Sequence, residues 1–413
     1  MNYKLINDTI YGQISLSDIA IKIIDTPPFQ RLRNIKQLGA CSFIFPTASH
    51  TRFEHSIGVA HLAKEFLRNL VQNSVNIQVT NEDYLLVEIA GLCHDLGHGP
   101  FSHAFDNEIL ADSTSPYAEH EERSIMLLRH IVEKYEISLS NSQVDNIIEM
   151  IHPSENNADR SFIYSIVSNA KNALDVDKID YIQRDILNLA IENGYNHSRL
   201  FKMCKVIDDE ICVHKKEAFN LYEFFRLRYR LHKQIYNHPA VKAHEYMIAD
   251  IFKLIKTDID ICDKIDDPVE FTKYTDSILD VIEFLPETDT ITKAKNIIHR
   301  IKTRNLYIFI GEYVIHDKND FIEKKKAINE VLIRTNTKEQ LIIHEMNVGL
   351  SGSGTNPIDS IRFYDKNDNN IKIHPSDISL FIGNECREFS VRFFVRDSKF
   401  LEDIKDTVTQ FMS

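Results

Sequence analysis

Between residues 91 and 103 the chain reads Gly91-Leu92-Cys93-His94-Asp95-Leu96-Gly97-His98-Gly99-Pro100-Phe101-Ser102-His103. A lone His-Asp dipeptide is commonly structural. Three histidines and an aspartate in one glycine-broken segment point instead to ligand or proton-transfer chemistry. Imidazole with carboxylate is a borderline-hard donor set that suits Fe, Mn, Zn, Ni or Co. Adjacent helical residues point ~100° apart, so His94 and Asp95 can flank one ion only at a helix edge. Two ligands are too few. An upstream His and a downstream Asp would complete the set, and His55 in Arg52-Phe53-Glu54-His55 and Asp177 in Asp175-Val176-Asp177-Lys178-Ile179-Asp180-Tyr181 stand in suitable contexts.

Other spacings add to this. His103 and Asp106 lie three apart, so the carboxylate is expected to hold the imidazole's tautomer. Asp177, Tyr181 and Asp185 recur every four residues, as do Arg228, His232 and Tyr236, so each trio shares one helical face. The run Arg226–Lys233, read alone, is a solvated basic face, and His120-Glu121 alone reads as surface. Gly349-Leu350-Ser351-Gly352-Ser353-Gly354 has P-loop glycines, but Thr355-Asn356 follows where the phosphate-binding lysine should stand. Without that lysine it reads as a flexible hairpin loop. No nucleophilic serine or cysteine elbow is present.

The elements that must position these residues are mainly helices. Ser56–Leu70, Asn81–Cys93, Glu121–Tyr135 and Asn220–Tyr236 carry apolar residues at helical spacing, and Pro100 is placed to open a further helix. After about Arg304 the pattern turns to β-rich runs at Leu306–Ile315, Leu341–Val348, Ser360–Tyr364 and Phe389–Val395, closed by a helix over Ser398–Phe411. The expected fold is mainly α, with a helical catalytic core over 1–303 and a smaller α+β lobe over 304–413. The lysine run Lys324–Lys326 reads as solvated surface. The 413 residues suffice for a large core, and 43% hydrophobic with 26% charged residues is ordinary for a globular protein. The longest apolar stretches fall far short of the ~20 residues a membrane helix needs. No apolar segment marks a signal peptide, and the six cysteines lack C-x-x-C spacing. An intracellular location is therefore expected. A net charge of −13 disfavours broad nucleic-acid binding but not a small polyanion in a locally basic cleft.

The pattern His55…His94-Asp95…Asp177 resembles the signature of the HD superfamily. The neighbouring segments resemble the SAM-and-HD-domain deoxynucleoside triphosphate (dNTP) triphosphohydrolases, and no SAM domain is expected here. The resemblance rests on Ile24–Arg33, Phe45–His55, Ala90–His103, Asp175–Asp185 and the Asn220–His238 helix. It runs from Lys4 to about Phe252 and resumes at Arg304-Asn305-Leu306 and Asn356-Pro357-Ile358-Asp359. It implies that His55, His94, Asp95 and Asp177 hold the metal, and that Mg accompanies the nucleotide phosphates. His98, His103 and His120 would contact the α-phosphate and manage protons, with an imidazolium at His103 protonating the departing 5′-oxygen and His120-Glu121 opposite it. Arg52, Lys178 and Arg228 would meet the outer phosphates. Gln37, Leu38, Tyr181, Asp185, Tyr236 and Asn237 would line the sugar and base site, with His232 on the helix that lines the nucleotide site, although Asn237 replaces the family's usual Gln.

The same resemblance implies GTP or dGTP as activator, held by Lys4, Leu5 and Asn7 with Asp25, Gln30 and Arg33. A second activator site would use Arg199, Lys216, Asn220 and Arg304. There His214, Gln234, Pro239, Ile308 and Thr355 stand where cations are usual, so that site is expected to be weakened. A homo-oligomer, dimer or tetramer, is implied as well. Two other functions fit parts of the sequence: an HD phosphohydrolase or phosphodiesterase acting on another nucleotide, and a nucleic-acid-binding protein with a vestigial nucleotide site.

Overall fold

The helices that carry the candidate residues begin where the sequence supplies caps. Thr80 accepts from the backbone N–H of Asp83, whose carboxylate returns to the Thr80 N–H, and so opens Asn81–Cys93. Asp175 accepts from Lys178 N at 3.0 Å and opens Val176–Asn188. Each such cap contributes ~1 kcal/mol. The structure, a computed structural model, describes residues 3–153, 162–192, 195–259, 261–350, 356–379 and 386–412. It is mainly α-helical, as the periodicities predict.

Arg52–Asn73 is the central helix, with Ile57, Val59, Leu62, Phe66 and Leu70 buried. It packs against both Asn81–Cys93 and Val176–Asn188. That packing brings the first turn of one helix, the last turn of the second and the first turn of the third to one point. Gly97 lets His120–Lys134 close over the turn after His94, because a Cβ there would overlap the backbone of His120 and Ser124. Ser124 Oγ ties the same two segments, accepting from Gly97 N at 2.8 Å and donating to His94 O at 2.7 Å.

Three small sheets complete the described residues. β1 (Tyr3–Asp8) and β2 (Gly12–Ser17) form an N-terminal antiparallel hairpin. β3 (Cys204–Ile207) and β4 (Glu210–His214) form a second hairpin, and β7 (Arg362–Tyr364) pairs parallel with β4 and antiparallel with β8 (Asn370–Ile371). β9 (Arg387–Val395) lies between β5 (Ile308–Val314) and β6 (Leu341–Gly349). The period-2 alternation of a strand gives β9 two apolar faces. Val391, Phe393 and Val395 join a small core with Phe321, Ile328, Leu332, Ile404 and Val408, while Phe394 joins the main core.

Several expectations need correction. β4 pairs with β7 across the 303/304 boundary, and Ile358, Ile361 and Phe363 bury into the main core. The two hairpins were not expected, nor was the helix Lys318–Arg334, which carries the Lys324–Lys326 run. Pro100 does not open a helix. Phe101 and Ser102 adopt left-handed φ of 62° and 57°, which is rare for residues other than glycine. Tertiary bonds hold them there: Phe101 N donates to Asp276 Oδ1 at 2.7 Å and Ser102 Oγ to Lys36 O at 2.6 Å. Helical turns resume at His103 and wind through a π turn over Phe105–Ile109. The helix expected over Asn220–Tyr236 is Ala218–Leu231 followed by a π turn, His232–Tyr236. The loop expected over 349–354 falls largely outside the described residues, as does Thr355.

Candidate active site

Four donors converge where the three helices meet. His55 Nε2 lies 3.2 Å from His94 Nε2, 3.2 Å from Asp177 Oδ1 and 3.4 Å from Asp95 Oδ2. His94 Nε2 is 3.4 Å from both Asp177 Oδ1 and Asp95 Oδ1. Neighbouring ligands ~2.0–2.2 Å from a common ion lie ~3–3.5 Å apart; His55, His94 and Asp95, whose ligand atoms all lie within 4.8 Å of one another, fit one divalent cation, and Asp177 stands beside both imidazoles. Tautomers fit too. His55 Nδ1 is 2.7 Å from Asp180 Oδ2, and His94 Nδ1 is 2.8 Å from Gly91 O. Each Nδ1 therefore carries the proton, leaving each Nε2 lone pair for the ion. The electrostatics also call for a cation: burial lowers the His55 pKa, yet Asp177 and Asp180 overcome it and push the imidazole up to about 10. Burial would raise Asp95, but Arg52, His94 and His98 hold it well below the usual carboxylate range.

A second cluster, His98, His103, Asp106 and His120, faces the first. The rings of His98 and His120 stack with centroids 3.9 Å apart, and His103 sits edge-on to both. Here the structure corrects a pairing. Asp106 Oδ2 takes His120 Nδ1 at 2.8 Å and Oδ1 takes Arg123, so the carboxylate orients His120 and not His103. The π turn after His103 breaks the simple i,i+3 geometry that the expectation assumed. Charge follows that partner. Burial lowers His120, but Asp106 and then Glu121 raise it above the ordinary imidazole value. Burial, Arg52 and His120 together depress His103 to about 4, and the same three influences hold His98 well down.

One cavity of about 490 Å³ reaches the donor cluster at Asp177 and the second cluster at His103 and His120, and takes in most of the remaining candidates. Its walls include Gln37, Leu38, His103, His120, Glu121, Asp177, Lys178, Tyr181, Asp185, Arg228, His232, Tyr236 and Asn237. Lys178 Nζ lies 2.7 Å from Asp175. Arg228 Nε donates to Tyr181 OH at 3.2 Å. Asp185 accepts from Tyr236 OH, and its Oδ1 is 2.8 Å from His50 Nε2. Arg52 departs from expectation. It is buried beneath the histidines, with its guanidinium on Asp95, Ser102 Oγ and the Gln37 carbonyl, so it steadies the donor cluster and does not line the cavity.

Sequence reasoning missed several residues that build this site. Asp180 and Ser124 hold ligands, and His50 holds Asp185. Asp276 ties two cavity walls by accepting from Lys36 N at 2.9 Å as well as Phe101 N. Lys242 and Glu245 line the cavity as an ion pair at 2.5 Å. Asp180 alone had a local signal, a second acid one turn after Asp177.

The expected activator residues lie away from the cavity. Lys4, Leu5 and Asn7 are exposed on β1. Gln30 joins Arg33 at 2.8 Å, with Asp25 exposed nearby in sequence. Arg199 and Asn220 share Glu217, beside exposed Lys216. Arg304 is held elsewhere, by the Phe43 carbonyl at 3.2 Å. His214 caps the turn before Lys216, Gln234 accepts from Arg230, Pro239 opens a helix and Ile308 begins β5.

The donor cluster generates a direct prediction. His94→Ala with Asp95→Ala removes two of four donors, so the folded double variant should retain almost no divalent metal after dialysis. Wild-type metal content in a variant with a native circular dichroism spectrum would contradict the assignment.

Comparisons with known proteins agree with this geometry. Residues 52–185 match the HD domain family model. The chain is 38% identical over 407 residues to the deoxynucleoside triphosphate triphosphohydrolase SAMHD1 homolog of Dictyostelium discoideum, covering 97% of this chain and 79% of that protein. It is 35% identical over 445 residues to deoxynucleoside triphosphate triphosphohydrolase SAMHD1 of Bos taurus, covering 95% and 75%. Against the Homo sapiens protein of the same name it is 35% identical, covering 95% and 70%. With the HD motif intact and similarity spanning nearly the whole chain, this protein belongs to the HD-domain family of SAMHD1-type deoxynucleoside triphosphate triphosphohydrolases.

Proposed function

We propose that the chain hydrolyses dNTPs to deoxynucleoside and inorganic triphosphate, using one divalent transition ion held by His55, His94, Asp95 and Asp177. The observation that carries this reading is the single cavity that runs past Asp177 and the histidines, two cations, and a tyrosine-lined pocket. A triphosphate ester calls for that combination: a Lewis acid at the reacting phosphorus, positive charge beside the outer phosphates, and apolar walls for sugar and base. A phosphodiesterase would need the donor cluster but not the lysine, arginine and buried sugar pocket beside it. The donor set favours Fe, Mn, Zn, Ni or Co, with Mg on the outer phosphates.

When bound, the ion offsets charge on an α-phosphate oxygen. The remaining work falls to the chain. Water attacks the α-phosphorus, the bond to the 5′-oxygen breaks, and triphosphate leaves with the water's oxygen and one of its protons while the other proton passes to solvent. The 5′-oxygen leaves poorly as an alkoxide, so it needs a proton. His120 carries that proton, because Asp106 and Glu121 favour its charged form. Neutral His98 and His103 donate hydrogen bonds to phosphate oxygens. Lys178 and Arg228 neutralise the outer phosphates, and His232, held near a pKa of about 3 by burial, Arg228 and His103, adds no charge of its own. Gln37 Oε1 is buried without a hydrogen-bond partner in the structure. It is free to accept from the sugar 3′-hydroxyl, while Leu38 and Tyr181 close the space around C2′. Asp185 and Tyr236, already joined, complete the sugar pocket, and Asn237 lies at the base.

Regulation belongs to the same proposal. Asp25, with Gln30 and Arg33, presents an acceptor suited to the N1–H and N2–H₂ edge of guanine, and Lys4, Leu5 and Asn7 stand exposed on the hairpin. GTP or dGTP is the activator and the protein works as a homo-oligomer. A second activator site would use Arg199, Lys216 and Asn220, gathered around Glu217, together with Arg304.

Two experiments test the reading. A pocket closed around C2′ rejects an added hydroxyl by crowding it and leaving it unpaired. We expect kcat/KM for dATP to exceed that for ATP by at least ~10²-fold, and equal values would contradict it. The second follows the proton. His120 is competent when charged and its pKa is raised, so kcat/KM should be full at low pH and fall as pH rises through a value above ~6.5. His120→Gln should lower kcat by ~10²–10⁴-fold and abolish that descending limb. A descending limb unchanged in His120→Gln would assign the proton to another group.

A further inference from the structure

Asp180 lies one turn beyond Asp177 on the same helix but is fully buried. Besides taking the Nδ1–H of His55, it receives a two-point fork from Arg184, with Nε on Oδ2 and Nη2 on Oδ1, each at 3.0 Å. The remaining Arg184 nitrogen, Nη1, donates to Asp8 Oδ2 at 3.0 Å. Asp8 ends β1 at the tip of the N-terminal hairpin. There its other oxygen, Oδ1, caps the turn by accepting from Ile10 N at 2.8 Å and Tyr11 N at 3.0 Å. An unbroken, solvent-excluded chain of charge-assisted hydrogen bonds therefore runs from the hairpin turn to the back of His55. The helix bearing His55 makes room for it: a Cβ on Gly58 would overlap both the Asp180 carboxylate and the Arg184 guanidinium.

We propose that Asp180, Arg184 and Asp8 make the N-terminal hairpin part of the metal site. Arg184 is a positioning residue that acts on His55 through Asp180, and Asp8 shares its charge. With Asp8 gone, Arg184 draws on Asp180 alone, which weakens the carboxylate as an acceptor for the His55 Nδ1–H and makes the imidazole a poorer ligand. Metal affinity and hairpin docking are then linked, and linkage is reciprocal: a bound ion stabilises the docked hairpin by the same free energy that the docked hairpin adds to metal binding. The proposal rests on the metal reading given above.

Asp8→Asn in the full-length protein isolates the link. Asparagine keeps Oδ1 for the turn but presents an NH₂ donor to the Arg184 donor. The probe is Mn²⁺, titrated into metal-free protein, with hydrogen exchange of residues 3–17 measured with and without it. We expect Mn²⁺ affinity to weaken at least ~5-fold while KM for the nucleotide at saturating Mn²⁺ stays unchanged. Mn²⁺ should slow hairpin exchange in the wild type, and that protection should be lost in the variant. Arg184→Lys, which keeps the charge but loses the fork, should weaken Mn²⁺ binding likewise and serves if Asp8→Asn folds poorly. Wild-type Mn²⁺ affinity and undiminished metal-dependent protection in a folded variant would overturn the proposal. Absence of Mn²⁺ binding by the wild type would instead overturn the metal reading on which it stands.

Discussion

Two carboxylates, Asp95 and Asp177, each lie within 3.4 Å of both imidazole Nε2 atoms, and so much electron density in one place is unfavourable unless positive charge sits among it. The rest of the structure answers that constraint. Three helices supply one turn each, and the Asn81–Cys93 helix directs its C-terminal end, the negative end of its dipole, at the point where a cation is needed. Arg52 flanks Asp95 from the protein side, and Asp180 backs His55. A buried charge without such partners is strongly unfavourable, so the donors and their supports form one unit.

The same logic divides the histidines. Those backed by Asp180 or by a backbone carbonyl present Nε2 as a ligand. Asp106 favours the charged form of His120, whereas burial, Arg52 and His120 favour the neutral forms of His103 and of His98, even though Asp95 Oδ1 lies 3.3 Å from His98 Nε2. The imidazoles of the site thus differ in charge according to the groups packed around each ring. The C-terminal lobe contributes at a distance. Arg392, buried against Glu312, donates to the Asn237 carbonyl, and Arg228 reaches the carbonyls of Gly349 and Leu350. The cavity wall at Arg228 and Asn237 is therefore braced by strands of the C-terminal lobe.

Much of the site was legible in sequence because it is built from local patterns. His94-Asp95 at a helix edge, and the i,i+4 series Asp177–Tyr181–Asp185, need only helical geometry to be read, and the long helices were found by their apolar spacing. What could not be read depends on tertiary partners. Asp106 chooses His120 over the nearer-in-sequence His103 because His120 and Arg123 approach it from another helix. Pro100 fails to start a helix because Asp276, 175 residues further on, captures the Phe101 N–H. Arg52 reads as a phosphate cation until its three protein acceptors are seen. The hairpins β1–β2 and β3–β4 are short, and β4 finds its parallel neighbour β7 far along the chain, so neither leaves a strong local period.

Attack at the α-phosphorus, with the triphosphate leaving whole, is the step on which everything else at the site depends. The most direct test is hydrolysis of a dNTP in ¹⁸O-labelled water in the presence of the divalent ion, followed by ³¹P NMR and mass spectrometry of both products. The expected result is one ¹⁸O on a terminal phosphorus of inorganic triphosphate and none in the deoxynucleoside. Label in pyrophosphate, orthophosphate or a deoxynucleoside monophosphate would place the broken bond elsewhere and contradict it.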